Sequence, residues 1–347
     1  MRKLASIEVV WYTEPIEGAD RIELVHVLGW QCIAPKGQFH KGDWCVYFEI
    51  DSFLPIRPEF EFLRAGSYTH SDFLGEGFRI KTRRMRGQLS QGLVMPIQAF
   101  DELAGRYMKV GMDVSDLLGV RKWEIEEKAT TGGTVIGTLP PGVPHTDETR
   151  FQAMPALLDA FVGEPYYITT KMDGSSHSLA IDENGFHVCG HNYEYKDDGK
   201  CSFYEFVNRR GYREAMERFM KERGIRTLTI QGEFCAPGIQ SNRLKLKNPE
   251  WYVFTVMIDG ERVGLNKMTF AVGEMGMEMV PLEEVGVDLP HHYPTVEAVL
   301  ERAEGCYPNG GQKEGIVVRT IEPKYCAVIG APLSMKVINN RYLLKEG

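Results

Sequence analysis

The chain has 347 residues, 43% of them hydrophobic and 25% charged, with a formal net charge of −8. It is long enough for two cores, and its acidic balance excludes a globally basic nucleic-acid coat, so any anion-binding surface must be local. Its seven cysteines are odd in number, widely spaced and without a Cys-x-x-Cys pair, which reads as a reduced, cytoplasmic protein lacking a structural zinc.

From the N-terminus to residue 118 the pattern is one of short strands and turns. "MRKLASIEVVWYTEP" has no apolar signal core, and no apolar run in the chain approaches the roughly 18 residues of a membrane span. Neither a membrane nor an obligate protein partner is expected. "RIELVHVLGWQCIAP" alternates and breaks at Pro35-Lys36-Gly37, and "KGDWCVYFEIDSFLP" gives another strand, closed by Pro55. "EGFRIKTRRMRGQLSQGLVMP" gives two more, with glycines at the bends. About five strands with regular turns suit a small barrel of the OB-fold type.

That last segment carries Arg79, Lys81, Arg83, Arg84 and Arg86 with no acid between them. Residues 79, 81 and 83 share one face if the strand runs on, which makes a phosphate track. A solvated edge strand guarded by cations is the plainer reading. Nucleic-acid contact is favoured because OB-folds commonly bind it.

Residues 119–150 change character. Gly132-Gly133, Pro140-Pro141 and Pro144 read as a linker. Residues 151–347 then form the second domain. "FQAMPALLDAFVG" reads as helical. "FYEFVNRRGYREAMERFMKERG" reads as one helix running through Gly211. "TLTIQGEF", "WYVFTVMIDG" and "EGIVVRTIE" are strands, and "TVEAVLERAEGC" is a short helix with a Thr cap. The fold class is α+β, with antiparallel sheets and flanking helices.

The chemistry begins at "YYITTKMDG", where a strand ends on Lys171, Asp173 and Gly174. Lysine is among the residues least often buried. Partial desolvation there predicts a depressed pKa and a nucleophilic amine. Asp173 shares the lysine's strand parity, and Gly174 permits a sharp turn or a close phosphate. A four-residue pattern of this kind arises readily by chance. It is joined, however, by Glu233 after Gly232, Glu314 just before Ile316-Val317-Val318, and Lys336 in a further apolar stretch. Each alone is more often a solvated surface charge. Three carboxylates and two lysines at strand edges would together hold a hard divalent cation and a polyphosphate, stabilising charge on a transferring phosphoryl group. Arg243, Lys245 and Lys247 follow the Gly-Glu motif closely and add a second basic stretch for nucleic acid.

Lys-x-Asp-Gly, then Gly-Glu, an aromatic strand, Glu-Gly-Ile-Val-Val and an apolar strand with lysine form an ordered set. It resembles the motif order of the covalent nucleotidyltransferases, which include ATP-dependent DNA ligases, RNA ligases and mRNA capping enzymes. The candidate barrel precedes the catalytic region, and the residues after Lys336 are too few for an OB domain there. With "RKLASIEVV", "RMRGQLSQGLVMP" and "HTDETRFQ", this looks like the Deinococcus-type RNA ligases over nearly the whole chain.

The resemblance implies ATP with Mg2+ or Mn2+, Lys171 as the nucleophile that forms lysyl-AMP, and a nicked duplex with an RNA 3′-OH end as partner. It implies catalytic roles for Lys171, Asp173 and Lys336, metal contacts from Asp173, Glu233 and Glu314, and nucleotide contacts from Glu233, Glu314 and Lys336. Phe254, or Tyr252 of the same parity, would stack on adenine, and Arg150 would meet the triphosphate. Relatives often place a glutamate one or two residues before the nucleophile. Thr170 and Thr169 stand there, so adenine reading would pass to the backbone at Thr170. His191 stands where an arginine is common, and Ile338 where some RNA ligases have a second lysine. The alternatives are a DNA ligase, a capping-type guanylyltransferase, or a nucleic-acid-binding protein without catalysis.

Overall fold

The computed structural model describes residues 2–123 and 132–344. They fall into two compact units. The first takes the chain as far as Trp123, with Gln152–Pro155. The second takes residues 132–151 and Ala156–Tyr342. Among the described residues no helix is long and apolar enough to cross a membrane.

In the first unit, one sheet has the order Leu93–Pro96, Trp44–Phe48, Ala5–Pro15, Ile22–Val27, Trp30–Pro35. Ala5–Pro15 serves two neighbours because its register slips between Val10 and Tyr12, and such a bulge bends a strand. The far strand returns toward the first. The Gln91 amide donates to the Gln31 carbonyl at 2.7 Å and the Ile33 amide to the Ser90 hydroxyl at 3.0 Å. The sheet thus curls as an OB-type barrel around Ile7, Val46, Phe48, Phe60, Phe78 and Phe100, all fully buried. Each such side chain contributes about 1.5–3 kcal/mol.

The segment expected to give two strands gives four: Gly75–Arg79, Arg83–Met85, Gln88–Ser90 and Leu93–Pro96. The strand stops at Arg79, and Arg83 opens a separate hairpin. Arg86 and Gly87, both at positive φ of 51° and 79°, make its two-residue turn. Residues 79, 81 and 83 therefore do not alternate along one strand.

The second unit is built mainly on two sheets, antiparallel but for Glu278–Met279, which pairs in parallel with Glu250–Ile258. The larger runs Val135–Thr138, Tyr193–Tyr195, Gly185–Cys189, Ser175–Asp182, Leu228–Cys235, Glu250–Ile258, Glu261–Arg262. Helices pack on one face of it through Phe203, Phe206, Met216 and Phe219 against Ile230, Phe234, Trp251 and Val253. Strand alternation sends Glu233, Tyr252 and Phe254 to the opposite face. The smaller sheet runs Leu282–Val287, Pro165–Lys171, Gly315–Thr320, Ser334–Ile338.

Three local expectations change. The long helix is two, Ser202–Arg210 and Tyr212–Arg223, because Gly211 takes a left-handed φ of 66° and its amide turns back to Asn208. Phe151–Ala153 and Pro155–Phe161 are 3-10 turns rather than an α-helix, with Pro155 supplying no amide donor. Residues 132–150, expected as linker, are built into the second unit: Val135–Thr138 pairs with Tyr193–Tyr195, and the Thr149 carbonyl accepts from the Lys336 amide at 2.8 Å. Arg121 and Lys122 instead pair with the first unit at Ser52 and Phe53. Residues 124–131 of that segment lie outside the described residues. Thr295 caps Val296–Arg302 as its sequence predicts, accepting from the Ala298 amide at 3.2 Å.

Candidate active site

Lys171 stands where the chain leaves the smaller sheet for the larger. Its strand places it opposite Gly315, while Ser176, just beyond the crossing, pairs with Glu233. Lys336 lies opposite Val317 one strand away. Gly174 sits between. A Cβ there would lie 2.5 Å from the Phe234 carbonyl oxygen, and the Gly174 amide donates to Glu233 Oε1 at 3.1 Å. The glycine is therefore needed for two strands to pass closely, a role its position in the sequence did not suggest.

The acids converge on the lysine. Lys171 Nζ is 2.5 Å from Glu314 Oε1. Burial alone lowers the amine's pKa, but Glu314, Glu233 and Asp173 outweigh it and the net shift is upward. The expected depressed lysine is thus corrected: surrounded by carboxylates, Lys171 is held as an ammonium. Burial pushes Glu233 up to about 8, with Glu314 and Asp173 adding to the shift and Lys171 opposing it. Asp173 is also raised, by burial and then by Glu314, against the opposing Tyr342, Arg243 and Lys171. Its Oδ1 accepts from the Tyr342 hydroxyl at 2.9 Å, and its buried Oδ2 has no hydrogen-bond partner among the described residues. Lys336 is pushed down to about 8 by burial and by its cationic neighbours Lys171 and Arg150. Arg150 bridges to Lys336 backbone to backbone, which places it beside that lysine.

A cleft opens beside these groups, lined by Lys171, Lys336, Glu233, Phe254, His191 and Arg319 among others, while Asp173, Glu314 and Arg150 are not part of its lining. Both aromatic candidates pack against the small cluster of Met172, Cys235, Val280 and Tyr307, and of the two Phe254 also lines the cleft. His191 Nε2 is 3.7 Å from Asp147. Thr170 also lines the cleft, but its hydroxyl donates to Glu283 at 2.7 Å and its amide to the Pro281 carbonyl at 2.9 Å. The Thr170 amide, the backbone donor expected to read adenine, is thus already used, as is the hydroxyl.

Several residues went unrecognised in the sequence. The Glu148 carboxylate is buried, which raises its pKa, yet Arg319 and Arg262 hold it down at about 2. Arg319 Nε donates to it at 3.0 Å, and another Arg319 nitrogen donates to the Phe254 carbonyl. Glu148 lay in a stretch read as linker. Arg319 had a signal: it alternates with Val317 and so shares the cleft face of an otherwise apolar strand. Tyr307 is buried, donating its hydroxyl to the Lys171 carbonyl at 2.9 Å and accepting from the Glu314 amide at 3.2 Å. Glu283 adds a second tie, joining Thr170 to Lys313 at 2.9 Å. The nucleophile candidate and its ion-pair partner are thus fixed to each other twice.

The proposed nucleic-acid residues divide. Arg243 is not a surface contact: its Nε lies 3.7 Å from Asp173 Oδ2 and its guanidinium 4.0 Å from the Tyr342 ring centre. Lys245 and Lys247 are exposed. In the first unit Arg84 and Arg86 are exposed on their hairpin, while Arg79 pairs with Asp51 at 2.8 Å.

Among the described residues no three His, Cys, Asp or Glu side chains close into a ready metal cage. The acids instead meet around the Lys171 ammonium. Their chemistry still fits magnesium or manganese, because such ions take oxygen donors, keep several waters and need only one or two carboxylates. Asp173 Oδ2, which accepts no hydrogen bond among the described residues and has Arg243 Nε at 3.7 Å, is one such donor.

The profile of a family described as an OB-fold domain matches residues 4–97, and that of a family described as RNA ligase matches residues 164–338. No curated protein matches the chain by sequence. Among solved structures, an apo aspartate-to-alanine variant of Naegleria gruberi RNA ligase is 31% identical, with a TM-score of 0.86, covering 99% of this chain and 97% of its own. A lysine-to-alanine variant of the same ligase with ATP and Mn is 30% identical, TM-score 0.87, covering 99% of each chain. A glutamate-to-alanine variant with AMP and Mn is 30% identical, TM-score 0.87, covering 100% of this chain and 99% of its own.

Proposed function

Because the chain belongs to the RNA ligase family, we propose that it is an ATP-dependent RNA ligase that seals 3′-OH/5′-phosphate nicks in duplexes whose 3′-OH strand is RNA. The observation that carries the reading is the Lys171 ammonium held by Glu314 at the mouth of a strand crossing, with Glu233, Asp173 and Lys336 around it.

In the first step Lys171 gives up its protons, with Glu314 the nearest acceptor at 2.5 Å. The amine attacks the α-phosphorus of ATP. A P–N bond forms, the bond to pyrophosphate breaks, and lysyl-AMP results. Lys336 and Arg150 offer positive charge to the phosphates, and Phe254 offers a face for adenine. In the second step an oxygen of the nick's 5′-phosphate attacks the AMP phosphorus, the P–N bond breaks and the amine takes back a proton. In the third the RNA 3′-OH loses its proton, attacks the activated 5′-phosphorus and expels AMP. Asp173, Glu233 and Glu314 are the groups that would hold magnesium or manganese, which would neutralise phosphate charge and draw carboxylate charge away from Lys171. The seven cysteines form no disulfide in the structure, in keeping with the cytoplasmic setting proposed for the chain.

The test is sealing of a nicked duplex with ATP. Strands ending in a ribose 3′-OH are expected to join and Lys171→Ala to join none. Equal joining of all-DNA nicks would replace the RNA reading with that of a DNA ligase.

A further inference from the structure

The first unit contains a concavity of its own, lined by Ser67, Thr69, Arg79, Lys81, Thr82 and Arg83, with no acidic residue on its wall. Two of its three cations are fixed. Arg79 is held by Asp51 at 2.8 Å and lies 4.9 Å from the Trp123 ring centre. Arg83 donates to the Gly66 carbonyl and lies 3.5 Å from the Ser67 hydroxyl. Lys81 stands between them in the chain. Burial, then Arg79 and Arg83, lower its pKa, with only Asp51 opposing. Thr82 is 6% exposed, and its hydroxyl has no hydrogen-bond partner among the described residues. A buried polar atom left unpaired costs stability, and here it belongs to a residue that lines a cationic cleft.

Fixed guanidiniums, an uncompensated ammonium and an idle hydroxyl describe a site for a group with several acceptor oxygens and negative charge. We propose that this cleft binds one backbone phosphate of the nucleic-acid substrate, Lys81 supplying its charge contact and Thr82 a hydroxyl donor. The phosphate chemistry follows from the cleft itself; the nucleic-acid source rests on the ligase reading. The two remaining basic residues of the segment, Arg84 and Arg86, are exposed beyond the cleft.

The test titrates a labelled nicked duplex against the full chain at several salt concentrations. Lys81→Ala is expected to weaken binding roughly three- to tenfold and to reduce the slope of log affinity against log salt by about 0.9, one phosphate's worth. Thr82→Val is expected to weaken binding without changing the slope, and Lys81→Arg to keep the slope. Arg106, exposed in the same unit, serves as the control, with Arg106→Ala unchanged. Wild-type affinity and slope in both Lys81→Ala and Thr82→Val would overturn the proposal. So would equal losses in Lys81→Arg and Lys81→Ala. A parallel calorimetric titration uses inorganic phosphate and pyrophosphate. Binding of either that Lys81→Ala abolishes, with duplex binding intact, would overturn the backbone source in favour of a free anion. AMP uptake by the wild-type chain is measured alongside. Its absence overturns the ligase reading, whereas normal uptake with an unaltered duplex titration overturns the cleft alone.

Discussion

The clefts of the second and first units handle charge in opposite ways. In the second unit cations are met by acids: Lys171 by Glu314, Arg319 by Glu148, Arg243 by Asp173. In the first, Lys81 lies between two arginines, and the nearby Asp51 is already paired with one of them. Compensated charge in a buried cleft holds groups whose protonation must change during a reaction. Uncompensated charge at a half-open surface waits for a partner that brings the countercharge. The same residue type, lysine, therefore has its pKa raised in one place and lowered in the other. Lys336 shows the boundary: it sits in the compensated cleft, yet burial and the cations Lys171 and Arg150 lower its pKa, as suits the phosphate contact proposed for it.

Substitutions that unbalance the compensated cleft should have the largest effects. Lys171→Ala should abolish AMP attachment, read by intact mass. Glu314→Gln keeps shape but removes the proton acceptor and the ion-pair partner, and should slow lysine adenylylation by about 10²–10⁴-fold in single-turnover kinetics. A rate within twofold of wild type would show that Glu314 does not take the proton.

Lys336 gives a pH test of the same contrast. Its amine is charged below about 8 and neutral above. ATP affinity, measured by calorimetry with calcium to block chemistry, should fall as pH rises through about 8, and Lys336→Met should bind more weakly without that fall. An identical pH profile in the variant would assign the titration elsewhere.

Tyr307 probes how far the geometry of the compensated pair matters. Tyr307→Phe leaves the Lys171 carbonyl and Glu314 amide without their shared hydroxyl, a loss of about 1–3 kcal/mol. The expected outcome is an adenylylation rate roughly tenfold lower at saturating ATP with an unchanged ATP KM. An effect on thermal stability alone would reduce Tyr307 to a packing residue. The smallest effect belongs to the uncompensated side, the shallower salt slope of Lys81→Ala.

How much of this was legible in the sequence follows from range. Strand patterning, together with the motif order shared with covalent nucleotidyltransferases, singled out Lys171, Asp173, Glu233, Glu314 and Lys336, and the fold draws these five together, although Lys336 sits mid-strand rather than at the expected strand edge. Patterning sufficed too for the antiparallel α+β plan and the Thr295 cap, which are local. The Glu148–Arg319 pair spans 171 residues of sequence and the Tyr307–Lys171 bond 136, so no local pattern announces either. The direction of the Lys171 shift was misjudged for the same reason. Sequence shows a lysine entering a strand end, but not how many distant carboxylates fold around it. Arg243 was misread because a basic stretch looks alike whether its first member points to solvent or to Asp173.

The proposed reaction turns on one event, the attachment of AMP to Lys171. Intact-protein mass after incubation with ATP and magnesium or manganese, beside Lys171→Ala and with GTP in parallel, reads it directly. A gain of one AMP in the wild type, absent in the variant and with GTP, is the predicted result. No adduct with either nucleotide or metal, in protein shown to carry no AMP beforehand, would contradict the claim that the carboxylate-held lysine is a nucleophile.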